Sequence, residues 1–93
     1  MLNQVEIQSR LPGIPGWELR DGKLFREFVF EDFRRAFGFM TECALAAEKL
    51  DHHPDWKNIY NRVWVELNSH DVGGITERDF RLATIMNQIA VRT

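Results

Sequence analysis

Hydrophobic and polar positions recur with two different periods along the chain, and the helical period is clearest near its end. Apolar residues there follow the i, i+3, i+4, i+7 spacing of one helix face, at Leu82, Ile85, Met86 and Ile89. Directly before them, Thr76-Glu77-Arg78-Asp79 has the form of a capping box, with a threonine cap and an acid three residues later. The pattern therefore predicts a final helix that starts at the box.

Two earlier segments also have helical spacing. Glu31 and Asp32 suit the first turn of a helix, and the apolar residues that follow at helical intervals are Phe33, Phe37, Met40, Ala44 and Ala47. This helix is expected to run through Glu48 and to be bounded by Asp51 and Pro54, because the residue before a proline is disfavoured in a helix. A weaker pattern predicts a short helix over residues 3–11, with Val5 and Leu11 facing inward.

Alternation with period two predicts strands in two regions. Residues 17–20 alternate, Asp21-Gly22 is a strong hairpin signal, and residues 23–30 form the returning strand. That strand has apolar residues on both faces, which predicts cover on both sides, by a helix and by another subunit. Residues 59–67 alternate and are predicted as a third strand, and the loop over 68–75 is expected to lead into a short fourth strand.

The predicted order of elements is helix, hairpin, helix, strand pair, helix. This order is typical of an α+β fold, a two-layer sandwich in which helices pack on one face of a four-stranded antiparallel sheet. With 93 residues, the chain is expected to form a single domain over residues 1–93.

Composition narrows the class of protein. The formal net charge is −2 with no basic block, which argues against direct binding of nucleic acid. Cys43 is the only cysteine, so no internal disulfide is possible and a reducing compartment is expected. No apolar run reaches the roughly 18–20 residues of a membrane span, and the first residues lack the pattern of a signal peptide. A soluble, cytoplasmic protein is expected.

The candidate chemistry lies in three histidines. His52 and His53 stand back to back at the predicted exit of the middle helix, and His70 follows the third predicted strand. Imidazole has an ordinary pKa near 6.5, which suits proton transfer at neutral pH. A metal site is not expected, because adjacent histidines rarely share one ion and Cys43 lies in mid-helix. A Cys–His nucleophile pair is disfavoured, since Cys43 is expected to pack in the core.

Several residues near the histidines have structural explanations as well. Glu48 and Asp51 solvate a helix end, although acids there oppose the helix dipole, which hints at binding donors of a ligand. Trp56 is expected in the core rather than as a ligand platform. Asp79 is explained by the capping box, and any role in binding or catalysis is an additional hypothesis.

The motifs resemble those of the pterin-4a-carbinolamine dehydratase family from Trp17 onward. The matching runs are Glu48-Lys49-Leu50-Asp51-His52-His53-Pro54-Asp55-Trp56, Tyr60-Asn61-Arg62-Val63, Ser69-His70 and Gly74-Ile75-Thr76-Glu77-Arg78-Asp79. Gly16-Trp17 and Phe28-Val29-Phe30-Glu31-Asp32-Phe33 match the family too. Ser69 stands where threonine is common in the family, which is a mild departure.

The resemblance implies an enzyme that removes water from 4a-hydroxytetrahydropterin to give quinonoid dihydropterin, in tetrahydrobiopterin recycling after aromatic amino acid hydroxylases. It implies no cofactor and no metal. His52 and His70 match the family's acid/base positions, and His53 matches a histidine that positions the substrate. The positions that match pocket-lining residues are Asp51, Asn68, Ser69 and Asp71, and those that match walls or supporting residues are Glu48, Pro54, Trp56 and Asp79.

The resemblance also implies a homodimer or homotetramer, and it leaves two other functions open. Some family members act as dimerisation cofactors for a homeodomain transcription factor through an apolar helix face. The apolar residues of the final helix are one candidate for that face, although a core stripe is the expected reading. Another possibility is a different pterin pathway, such as molybdopterin metabolism.

Overall fold

Three helices and four strands follow one another in a computed structural model that describes all 93 residues. The helices are α1 (Gln4–Arg10), α2 (Phe33–Leu50) and α3 (Glu77–Arg92), and a 3-10 turn (Leu11–Gly13) follows α1. The strands are β1 (Glu18–Arg20), β2 (Lys23–Val29), β3 (Asp55–Ile59) and β4 (Arg62–Leu67). They form one antiparallel sheet in the order β1-β2-β4-β3. The predicted α+β class with a four-stranded antiparallel sheet is confirmed.

The core lies between one face of the sheet and the helices. Alternate residues of β2 and β4 are buried there, including Leu24, Phe28, Val63, Val65 and Leu67. They pack in one cluster with buried residues of all three helices. No helix is both long enough and apolar enough to span a membrane.

The first hairpin forms as predicted. Arg20 pairs with Lys23, and the two residues between them, Asp21 and Gly22, have φ angles of 52° and 75°. A type I′ turn needs positive φ at both positions, and the Asp-Gly pair accepts it. On the outer face of β2, Phe25 is half-buried and Val29 is exposed. Cover of that face by another subunit stays a prediction.

The third predicted strand is confirmed over residues 62–67 and wrong before them, because residues 55–67 form a second hairpin. The chain reverses at Tyr60 and Asn61, and Ile59 pairs with Arg62 across the turn. Paired residues lie on the same face of a sheet, so Ile59 shares the outer face with Arg62 and is 55% exposed. A two-residue turn keeps the alternation of apolar and polar residues in the sequence, but it moves the apolar residues that follow to the opposite face of the sheet. The two strands therefore have the alternating pattern of a single strand.

The predicted fourth strand after the loop is also wrong. Gly74 makes only a single bridge to Ser69, and Ile75 is buried in the core without belonging to a strand. The fourth strand of the sheet is β3, which precedes β4.

Helix α2 begins after Asp32, whose side chain accepts a hydrogen bond from the Arg35 N–H at 2.8 Å. The prediction of its apolar face is partly wrong. The buried residues are Ala36, Phe39, Cys43 and Ala47, whereas Phe33, Phe37 and Ala44 are exposed. The helix carries two apolar stripes, and the sequence does not show that only one of them reaches the sheet. Only Ala47 and the half-buried Met40 belong to the face that was expected inside.

The other two helices differ in how well their faces were predicted. In α1 the buried residue is Ile7, whereas Val5 is 78% exposed and Leu11 is only half-buried, so that prediction is wrong for Val5. In α3 the predicted stripe does face the core. Its members Leu82, Met86 and Ile89 are buried and Ile85 is half-buried.

Arg26 points into the core side of the sheet, a position that the sequence does not explain. Its guanidinium lies 4.2 Å from the centroid of the Phe28 ring and donates to Asn87 Oδ1 at 2.6 Å and to the Pro15 carbonyl at 3.0 Å. Trp17 donates to the same Asn87 oxygen at 2.8 Å. Burial lowers the pKa of Arg26. Arg26 therefore joins the segment before β1 to α3.

Candidate active site

The end of α2 sets the positions of two of the histidines. Asp51 adopts the left-handed conformation with φ 53°, and its N–H donates to the Glu48 carbonyl at 3.1 Å. The His52 N–H donates to the Ala47 carbonyl at 3.0 Å, which completes a Schellman motif. Aspartate tolerates this conformation better than most residues. The reversal turns His52 inward, where it is buried, and leaves His53 exposed.

His52 is held by a buried carboxylate. Its Nε2 lies 2.5 Å from Asp79 Oδ1, and only 6% of His52 and none of Asp79 is exposed. The other oxygen of Asp79 accepts from Ser69 Oγ and from the Thr76 N–H, each at 2.9 Å. An ionised carboxylate accepts all three hydrogen bonds, so Nε2 of His52 carries a hydrogen. Nδ1 is then the nitrogen left to exchange a proton.

Asp79 therefore has two functions in one position. It completes the capping box of α3, as the sequence predicted, and the same carboxylate orients His52. The spacing of the capping box gave no sign of this second contact, because the two residues are 27 positions apart.

His53 and Glu48 form a pair at the surface. His53 Nε2 lies 2.8 Å from Glu48 Oε1, with 57% and 79% of the two side chains exposed. An ion pair this exposed adds little stability. Its effect is to restrain the orientation of the His53 ring beside the cleft.

His70 and Asp71 lie on a tight loop between β4 and α3. The loop is closed where the Ser69 N–H donates to the Gly74 carbonyl at 2.7 Å, and Ser69 itself is buried. Asp71 Oδ1 accepts from Arg78 Nη2 at 2.7 Å. This hydrogen bond, aided by the positive charge of Arg78, lowers the pKa of Asp71. The ion pair connects the loop that carries His70 to the first turn of α3.

A cleft of about 280 Å³ brings the three histidines together. Its lining consists of Asp51, His52, His53, Pro54, His70, Asp71 and Arg78. The volume is close to the lower end of small-molecule sites, roughly 300 Å³. Ring nitrogens and acids around one cavity can exchange protons with a ligand and accept hydrogen bonds from it.

The remaining predicted site residues lie behind or beside this cleft. Glu48 reaches it through His53, and Ser69 and Asp79 lie behind His52. Trp56, on β3, packs against the core, and Asn68 is half-buried; neither lines the cleft.

Arg78 is a lining residue that sequence reasoning missed. It stands inside the capping box, where the motif explained its neighbours and drew no attention to it. Its charge gave no signal either, because Arg34 and Arg35 are also cations in the first turn of a helix, that of α2.

A larger groove of about 620 Å³ lies elsewhere, and its lining includes Arg26, Phe28, Arg35 and Asn87. It contains no histidine, so it offers no group with an ordinary pKa near neutrality, and the smaller cleft is the better candidate for proton transfer.

Cys43 and the metal-ligand residues stand apart from this chemistry. Cys43 is fully buried in α2, and burial, with a smaller contribution from the charge of Glu42, raises the pKa of its thiol to about 12. The thiolate needed for nucleophilic chemistry is therefore disfavoured. No three His, Cys, Asp or Glu side chains are grouped so that they could hold a metal ion.

Relatives in sequence and in structure point to one family. The sequence model of the family described as pterin 4 alpha carbinolamine dehydratase matches residues 1–89. A Rhizobium etli protein that carries this family's name is 50% identical over 93 residues, which cover 98% of this chain and 92% of the relative. A relative of the same name from Afipia carboxidovorans is 53% identical over 94 residues, which cover 99% and 94%. The chain belongs to the pterin-4a-carbinolamine dehydratase family.

A solved structure supports the same conclusion for the fold. The crystal structure of a protein from Brucella melitensis, described as a transcriptional coactivator/pterin dehydratase, superposes with a TM-score of 0.92. It is 49% identical in sequence, and the match covers 96% of this chain and 97% of that one. The sequence relatives and the structural neighbour therefore agree on the family of this chain.

Proposed function

We propose that the chain removes water from 4a-hydroxytetrahydropterin and so regenerates quinonoid dihydropterin in the recycling of tetrahydrobiopterin. The observation that carries this proposal is the meeting of His52, His53 and His70 around one cleft, with His52 held by a buried carboxylate. The family supports the pterin class of substrate.

The reaction breaks the bond between C4a and its hydroxyl oxygen and forms a double bond between C4a and N5. The hydroxyl takes up a proton and leaves as water, and N5 gives up a proton to a base. The electron pair of the N–H bond forms the new double bond, so no electron enters or leaves. Hydroxide is a poor leaving group, and a positioned acid and base typically contribute about 10²–10⁴-fold to such a step.

His52 and His70 are the proposed acid/base pair. The Asp79 carboxylate fixes Nε2–H of His52 and stabilises the imidazolium that forms when Nδ1 accepts a proton, which favours the base role for His52. His70 is exposed at the cleft and can exchange its proton with water between turnovers. His53, restrained by Glu48, is the proposed positioning residue.

The acids of the cleft suit the hydrogen-bond donors of a pterin. The amino group and the ring N–H of its pyrimidine half need acceptors, and Asp51 and Asp71 both line the cleft. Pro54 supplies an apolar wall beside them. The proposal gives a contribution through the backbone or a supporting role to Asn68, Ser69 and Trp56. It involves no cofactor or metal.

Stopped-flow absorbance with chemically generated 4a-hydroxytetrahydropterin tests the proposal. We expect acceleration above the buffer rate and a loss of about 10²-fold or more for His70→Ala. Because His70 is exposed, this variant should keep its melting temperature, which separates lost chemistry from lost fold. Exposed Arg34, at the far end of α2, provides the matched control as Arg34→Ala. No acceleration by the native chain, or full activity after His52→Gln combined with His70→Ala, would refute the proposal.

A binding role is the second candidate function. It is favoured by the name of the Brucella melitensis structure and by an exposed aromatic pair on α2, Phe33 and Phe37, whose ring centroids are 5.7 Å apart. The α3 stripe considered from the sequence is unavailable, since Leu82, Met86 and Ile89 are buried. Light scattering of the native chain and of Phe33→Lys/Phe37→Lys tests whether this pair joins copies into the proposed dimer or tetramer. An unchanged mass would remove it as an assembly surface.

The identity of the physiological pterin is tested separately. A pterin of another pathway, such as molybdopterin metabolism, would need the same acid/base residues. Comparing kcat/KM across 4a-hydroxytetrahydropterins with different side chains decides between the two, and a lack of activity on the biopterin form would overturn the assignment to tetrahydrobiopterin recycling.

A further inference from the structure

A second, smaller cavity adjoins the histidine cleft. It has a volume of about 50 Å³ and is lined by Leu50, His52, Arg78 and Arg81. His52 and Arg78 also line the larger cleft, so the two cavities share a wall. A cavity needs only roughly 10–15 Å³ to admit one water molecule, so this one has room for the oxygens of an anionic group.

The two cavities differ in charge. Two acids, Asp51 and Asp71, line the larger cleft, whereas the smaller cavity contains two arginines and no acid. Arg78 is engaged with Asp71, but none of the ion pairs of the chain includes Arg81. A guanidinium without an acid partner beside a cavity is suited to bind a phosphate or a carboxylate through paired hydrogen bonds.

The position of the arginines on α3 points the same way. Arg78 and Arg81 are three residues apart, which places them on one side of the helix. Arg78 lies in the first turn, where the positive end of the helix dipole disfavours cations and favours anions, and Arg81 lies one turn further along. An anion bound between them would be stabilised by both side chains and by the dipole.

We infer that the Arg78/Arg81 cavity binds an anionic group on the side chain of the pterin, so that the preferred substrates carry a phosphate or carboxylate there. This inference rests on the proposed function, because it assumes that the pterin ring occupies the histidine cleft. His52, shared by both cavities, would then lie between the reacting ring and the anionic group.

Equilibrium binding tests this with two stable dihydropterins, one with a neutral trihydroxypropyl side chain and one phosphorylated at its terminal hydroxyl. Fluorescence titration of the native chain at low ionic strength should give a Kd about fivefold to tenfold lower for the phosphorylated compound, because a charge-assisted pair exceeds a neutral contact. In Arg81→Gln this preference should fall to about twofold or less, with unchanged Kd for the neutral compound. Arg81→Lys should keep part of it, because lysine retains the charge.

Arg34→Gln is the matched control. It makes the same change in net charge on an exposed residue at the start of α2, roughly 25 Å along the helix from Asp51 at a rise of 1.5 Å per residue. It should leave the preference intact. Equal affinity of the native chain for the two compounds, or an equal loss in Arg34→Gln and Arg81→Gln, would overturn the inference and leave the dehydratase proposal standing.

Two other outcomes are also decisive. If Arg81→Gln lowers the melting temperature but leaves the preference unchanged, Arg81 serves the nearby end of α2 and the inference is wrong. If neither compound binds and no dehydration is catalysed, the proposed function fails and this inference fails with it.

Discussion

Asp79→Asn tests the central feature of the site, which is a buried carboxylate that fixes the tautomer of His52. The carboxylate accepts three hydrogen bonds, from His52 Nε2, Ser69 Oγ and the Thr76 N–H. An asparagine has the same shape but offers one carbonyl oxygen and one NH₂ group. It therefore cannot accept from all three partners, and its two orientations have different consequences.

In the first orientation, the amide oxygen faces Ser69 and Thr76 and the NH₂ group faces His52. The Ser69 hydroxyl, the Thr76 N–H and one amide N–H are satisfied if His52 moves its hydrogen from Nε2 to Nδ1, and the second amide N–H has no acceptor. In the second orientation, the NH₂ group faces the Thr76 N–H, and this buried donor loses its acceptor at a cost of about 1–3 kcal/mol. The first orientation is expected to prevail, because it keeps the acceptor of both the Ser69 hydroxyl and the Thr76 N–H and places no amide N–H against a backbone donor.

The expected result is a folded but inactive enzyme. With hydrogen on Nδ1, His52 has no lone pair left to take the N5 proton, and kcat/KM should fall by about 10²–10⁴-fold, the usual worth of a general base. The free energy of unfolding should fall by about 1–3 kcal/mol, because charge-assisted hydrogen bonds become neutral and one buried amide N–H lacks an acceptor. Stopped-flow kinetics measures the first quantity and urea denaturation the second.

Nitrogen NMR of labelled histidine shows the tautomer of His52 directly. Asp32→Ala is the control for stability, since it removes the cap of α2 at a cost of about 1 kcal/mol and leaves the cleft intact. It should keep full activity well below its melting temperature. If Asp79→Asn shows hydrogen on Nδ1 and yet keeps kcat/KM within about threefold, Nδ1 of His52 is not the base and the mechanism is wrong.

Three further predictions concern charge and packing. Arg78→Gln removes the hydrogen bond that lowers the pKa of Asp71, so NMR titration of this carboxylate should move toward the ordinary value of roughly 3.9. The native pair stabilises the fold above that ordinary value and loses its effect as the pH falls through the lowered pKa; an unchanged titration would contradict the pairing. Phe39→Ala should lower the free energy of unfolding by about 3–5 kcal/mol in urea denaturation, because Phe39 is fully buried, and a loss below about 1 kcal/mol would contradict its place in the core. Cys43 should resist iodoacetamide at pH 8 in the folded chain and react in urea, and rapid labelling without urea would contradict its burial.

The sequence predicted the parts of the fold that depend on local chemistry. The Asp-Gly hairpin and the capping box at Thr76 each rest on neighbouring residues, and the structure has both. Features that depend on distant contacts were not predictable in the same way. Nothing local shows that Phe39 faces the sheet while Phe37 faces solvent, because both lie on apolar stripes of one helix.

The candidate site shows the same difference between features that depend on local residues and features that depend on distant contacts. The cluster of His52, His53 and His70 was visible in the sequence, because histidine is rare in this chain and each stands at the end of an element. Two contacts of the site were not visible in the sequence. The contact of His52 with Asp79 joins the end of α2 to α3, and the ion pair of Asp71 with Arg78 joins the loop before α3 to that helix. The catalytic roles of the histidines stay predictions until the kinetic tests are made.

Two departures from helix-end rules lie at the cleft. Asn3 and Asp32 cap α1 and α2 in the ordinary way, and neither lines the cleft. At the cleft, Asp51 is a non-glycine residue in the left-handed conformation, and Arg78 is a cation at the positive end of a helix. Each departure lowers stability slightly when taken alone. Arg34 and Arg35 are also cations in the first turn of a helix, that of α2, so the charge of Arg78 alone does not indicate function. Asp51 and Arg78 differ from them in lining the histidine cleft, and this placement supports a binding role for both.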